Sequence, residues 1–117
     1  MPVNMNDVVK NLKINTGALA VAVVSRDGLV IAAEMPPGVY TETFAIMCAT
    51  ILGASITALS ELKRTTPERV IIESSDTRTI ILGAGKKALL ICVVDSAKDM
   101  NVVLPECQKA VDAIKAP

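Results

Sequence analysis

The chain has 117 residues, twelve Lys and Arg against twelve Asp and Glu, and 51% apolar residues before glycine is counted, more than one small soluble core ordinarily needs. It contains no His and only two aromatics, Tyr40 and Phe44. The commonest general base and metal ligand are therefore missing, as is every Ser/His or Cys/His nucleophile pair, and neither a basic face nor a stacking platform for nucleic acid is available.

Residues 1–13 carry Asp7, Lys10 and Lys13 among their apolar positions, which breaks the apolar core a secretory signal needs, so a cytoplasmic protein is expected. Asn4 or Asn6 can cap a first helix reaching about Lys13, with Met5, Val9 and Leu12 on one side, and Asn15-Thr16-Gly17 ends it. Residues 18–24 and 29–33 are apolar runs separated by Ser25-Arg26-Asp27-Gly28. Asp-Gly between such runs predicts a type I′ hairpin turn with positive φ at both central residues. Pro36-Pro37-Gly38 then makes a loop.

Residues 43–60 hold no charge between Glu42 and Glu61, 18 residues that just reach the minimum for a membrane span. Their Thr, Ser and Gly content favours a buried helix over 43–64 instead, capped by Thr41 or Thr43 and stopped by Thr65-Thr66-Pro67. Three short strands follow, 69–74, 79–82 and 88–94, separated by turn-forming residues and forming a meander. The intervening Gly83-Ala84-Gly85-Lys86-Lys87 approaches a phosphate loop. However, the positions a Walker motif needs hold Ile80 and Lys87, and a strand follows instead of a helix, so a hairpin turn is expected. A last helix spans 102–115 after Asn101, with Leu104, Cys107, Val111 and Ile114 at helical spacing and Pro105 in its first turn.

This order predicts a single α+β domain over 1–117. Runs 18–24 and 88–94 are apolar on both faces, yet the short turns impose antiparallel pairing, so both faces need cover. The long helix can cover one and the terminal helices the other. Cys48, Cys92 and Cys107 are odd in number, far apart and set in apolar stretches, which predicts buried small hydrophobes in a reducing compartment. The carboxylates lie mostly at element ends or turns, where solvated charge is the default, and no acid/base pair, metal set or cofactor site is expected.

On a helical wheel the long helix directs Phe44, Cys48, Ile51, Leu52, Ser55, Ala58, Leu59 and Leu62 at the sheet. Its opposite side, with Ile46, Ala49, Thr50, Gly53, Thr57 and Ser60, is also free of charge. A solvated helix face normally carries Lys and Glu, so a second helix or a partner is expected there; the alternative is an outer face that happens to be small and polar. The strand at Val70, Ile71 and Ile72 is a β-branched edge that invites pairing with a second chain.

The segment 17–32, reading GALAVAVVSRDGLVIA, together with the Ala/Thr/Gly-rich helix, three short strands and the Asn101-led terminal helix, resembles the roadblock family. That family includes roadblock-type dynein light chains, Ragulator subunits and prokaryotic regulators of Ras-like small GTPases. The resemblance implies a profilin-like sheet in the order 2-1-5-4-3 and a homodimer, or a pair with a roadblock paralogue, joined through the third strand and second helix. It also implies a GTPase-docking surface on the second helix. Carried onto this chain, partner binding falls to Ile46, Thr50, Gly53, Thr57, Glu61 and Arg64, and self-association to Ala49, Gly53, Ile56, Ser60, Val70, Ile71 and Ile72. A non-enzymatic adaptor is the reading this supports. A small-molecule sensor of profilin-like fold, and a roadblock-type structural subunit without a GTPase, are the alternatives.

Overall fold

The computed structural model describes residues 3–116; residues 1, 2 and 117, included in the single-domain reading, lie outside the described residues. Helix α1 (Met5–Thr16) leads into strands β1 (Ala20–Ser25) and β2 (Val30–Glu34), then α2 (Thr41–Glu61), β3 (Arg69–Glu73), β4 (Thr77–Gly83), β5 (Ala88–Asp95) and α3 (Met100–Lys115). The five strands form one antiparallel sheet in the order β2-β1-β5-β4-β3.

The alternation of side chains along β1 and β5 explains why both runs are apolar throughout. Val21, Val23, Leu90, Cys92 and Val94 pack toward α1 and α3, with Val9, Leu12, Val103 and Cys107. Ala22, Val24, Leu89 and Ile91 pack toward α2, with Ala45, Cys48 and Leu52. The sheet is thus the middle of three layers, as expected, with all three cysteines free and buried.

One local reading is settled and several are corrected. Asn4 caps α1, its Oδ1 accepting from Asn6 N at 2.9 Å. The helix runs three residues beyond Lys13 to Thr16, and Gly17 closes it in the left-handed region at φ 68°, its N–H donating to Lys13 O at 2.8 Å, while Thr16 Oγ1 donates to Leu12 O at 2.7 Å and accepts from Ala18 N at 3.2 Å. The β1–β2 turn is not type I′: Asp27 keeps a negative φ, and only Gly28, at φ 92°, is left-handed. Gly28 N donates to Ser25 O at 2.9 Å and Ser25 N to Leu29 O at 2.8 Å, a three-residue loop closed by a glycine.

Neither Thr41 nor Thr43 caps α2; Tyr40 occupies that position and offers no side-chain cap. At its other end α2 stops before the Thr65-Thr66-Pro67 segment. Lys63 adopts the left-handed region at φ 55°, its N–H donates to Ser60 O at 2.9 Å, and Arg64 N donates to Leu59 O at 3.0 Å. This is a Schellman closure built without the usual glycine. The N-cap of α3 is Asp99 and not Asn101, its carboxylate accepting from Asn101 N at 2.9 Å. Pro105 consequently lies in the second turn of α3, where its missing N–H removes a helical hydrogen bond.

Candidate functional site

Helix α2 is 21 residues long and apolar enough to cross a membrane by length and composition, yet in its most apolar 18-residue window only 17% is buried. The expectation of a buried helix therefore holds for one side alone. Ala45, Cys48 and Leu52 are buried, while Phe44, Ala49, Ile51 and Ile56 pack beside them. The contact stripe is rotated from the one read on the wheel: Ala45 and Ala49 join it, and Ala58 and Leu62 are exposed. Small side chains at Ala45, Cys48 and Ala49 let the helix lie close to the sheet and leave bulkier Phe44 at the flank.

The outer face that remains is exposed and uncharged over four turns, through Met47, Thr50, Gly53, Ala54 and Thr57, until Glu61. Ile46 and Met47 are 46% and 52% exposed. Thr50 turns its hydroxyl onto Ile46 O at 2.8 Å, and the space around Gly53 is open, with nothing within 4 Å of an added Cβ. The outer sides of α1 and α3 carry Asp7, Lys10, Asn11, Gln108, Lys109 and Asp112, the ordinary dress of a wet helix.

The partner-binding candidates Ile46, Thr50, Gly53, Thr57 and Glu61 are all exposed on α2. Arg64 is exposed too, but it lies beyond the helix end, in the loop to β3. The self-association candidates divide. Gly53, Ser60, Ile71 and Ile72 are on the surface, whereas Ala49, Ile56 and Val70 are half-buried against the α2-side core. Sequence reasoning missed Met47 and Tyr40, the latter 82% exposed; a wheel centred on Ala45 in place of Phe44 would have placed Met47 outside.

The two sheet edges differ. On β2 the register slips between Val23 and Val24, so that Ile31 bulges out of the ladder and blunts that edge. On β3 the pairing runs without interruption from Arg69↔Leu82 to Glu73↔Arg78, and a 3.1 Å ion pair joins Glu73 and Arg78. Ile71 and Ile72 are 37% and 39% exposed beside it. Only β3 presents a regular edge, and α2 packs over it.

Little in the site is reactive. Burial pushes the Cys48 thiol, on the inner side of α2, up to about 11. Between β5 and α3 the thiols of Cys92 and Cys107 hydrogen-bond to each other, and that bond, followed by burial, holds Cys107 protonated. Among the described residues no group of three or more His, Cys, Asp or Glu side chains is arranged to hold a metal ion.

The Roadblock/LC7 domain profile matches residues 5–95. The uncharacterised protein MJ0310 of Methanocaldococcus jannaschii is 31% identical over 94 residues, 80% of this chain and 82% of that protein. Among solved structures, Myxococcus xanthus MglB superposes with a TM-score of 0.90 at 18% identity, covering 95% of this chain and 91% of MglB. Profilin II of Acanthamoeba castellanii gives 0.67 at 17% identity, over 96% and 97% of the two chains, so the fold is profilin-like.

Proposed function

The chain belongs to the Roadblock/LC7 domain family, and on that premise we propose that it is a non-enzymatic cytoplasmic adaptor that pairs with a second roadblock chain through β3 and α2 and docks a Ras-like small GTPase on α2. The observation that carries the reading is the outer face of α2, apolar or small and uncharged through Thr57, and exposed in the single chain. Water is a poor neighbour for such a surface, and a protein partner is a good one. Gly53 is the point where another backbone can come closest, since no side chain stands there. The GTPase as partner class rests on the resemblance of the 17–32 segment and the long helix to roadblock-type regulators.

The test is retention of GTP-loaded small GTPases from native cytosol on the immobilised protein. Gly53→Arg is expected to abolish retention by filling the open site, and Lys87→Ala, on the β4–β5 turn, is expected to leave it intact. If the wild-type protein remains self-associated and retains no GTPase, α2 serves assembly alone and the GTPase reading is overturned.

A further inference from the structure

A second feature lies away from the outer face of α2, where the β1–β2 turn, the β4–β5 turn, the start of β3 and the end of α3 meet around a cleft of about 350 Å³. Among the described residues three cationic side chains line it, Arg26, Arg69 and Lys115, against one carboxylate, Glu68. The ion pairs among the described residues are Arg78 with Glu73 and Lys109 with Glu106, so no described residue neutralises any of these four charges within 4 Å. Three like charges converging on one concave space with a single opposing charge make a focused positive potential.

Arg26 is held there by the backbone. Its Nη2 donates to Gly85 O at 2.7 Å, and its guanidinium lies over Gly83, where a Cβ would stand 2.9 Å from Nη2. The stem of Lys115 lies against Gly85, with Cγ 3.5 Å from where a Cβ would be. The two glycines of the Gly83–Lys87 turn therefore make room for cationic side chains; they do not cradle a ligand with their own amides. The Nε–H of Arg26 is buried without an acceptor among the described residues, a donor they leave unused. Thr66 and Gln108 add neutral hydrogen-bonding groups to the wall.

We infer that this cleft binds a small phosphate-bearing anion. The planar, permanently charged guanidiniums of Arg26 and Arg69 match phosphate oxygens in geometry, and Lys115 supplies a mobile third charge. The volume sits at the low end for small-molecule sites, which suits a phosphate or diphosphate group with a short organic stem.

Calorimetric titration of the full chain at low ionic strength, with pyrophosphate, inorganic phosphate and glycerol 3-phosphate as probes, tests the inference and separates a free oxyanion from a phosphomonoester. One saturable site is expected for at least one probe, with affinity falling at least about tenfold in Arg69→Gln/Lys115→Gln. Both side chains are exposed, so the fold is retained. Lys10→Gln/Lys86→Gln removes the same charge elsewhere and is expected to stay within about twofold of the wild type. Absence of saturable binding for all three probes, or an equal loss in both double variants, overturns the site.

Discussion

Gly28 and Gly38 share a left-handed backbone, at φ 92° and 84°, but only Gly28 has a neighbour. A Cβ on Gly28 would stand 3.0 Å from the Cα of Ile46, which is backbone and cannot swing aside, whereas nothing lies within 4 Å at Gly38. Gly28→Ala is therefore expected to lose about 2–3 kcal/mol of folding stability and Gly38→Ala about 1 kcal/mol, measured by urea unfolding. The sequence announces a turn at Asp27-Gly28 but not its type: the strands close over three residues with only Gly28 at positive φ, and the contact with Ile46 that bars a side chain there lies eighteen positions on. Cys48 gives a pH-dependent counterpart. Its thiol is held near 11 in the fold, against 9.0 for the ordinary group, so the folded state keeps a proton that the unfolded chain releases. That stabilisation is complete below pH 9 and disappears as pH rises to about 11. Over this window the wild type is expected to lose up to about 3 kcal/mol more than Cys48→Ala, read from unfolding curves at each pH.

Among the elements, α2 is where sequence and structure part most clearly. The alternation that buries β1 and β5 on both faces is legible because period two allows no ambiguity once the turns are placed. An apolar helix with no charged stripe gives no such anchor, and the wheel locks onto Phe44, its largest residue, when the fold instead needs the small ones against the sheet. The same lack of contrast hid which members of the Ala49, Gly53 and Thr57 row face outward. Gly53 now separates two contributions. Its surroundings are open and it sits inside a helix, so Gly53→Ala is expected to raise the stability of the isolated chain by about 0.5–1 kcal/mol in thermal or urea unfolding under dilute conditions. If a second backbone approaches there, the same methyl weakens self-association, and the two effects have opposite sign in dilution series followed by light scattering.

At the scale of the whole molecule, surface area bears on self-association. A self-contained monomer of 12.3 kDa exposes roughly 6,100 Å² by the scaling of surface with mass, and this chain exposes 7089 Å². The surplus, roughly 1,000 Å², is comparable to the share of about 800 Å² that one partner contributes to a standard interface. Part of the exposed apolar surface lies on α2 and along the regular edge of β3, at Ile46, Met47, Ile71 and Ile72. The β2 edge is already spoiled by its bulge at Ile31, so the proposed pairing through β3 would close the regular edge and extend the sheet across a two-fold axis. Ile72 is exposed beside that edge, where Lys is sterically tolerated and its charge would be desolvated in the pair. Sedimentation equilibrium at micromolar concentration is expected to give twice the 12.3 kDa chain mass for the wild type and the chain mass for Ile72→Lys, with unchanged circular dichroism; a wild type that sediments as one chain removes the β3 pairing.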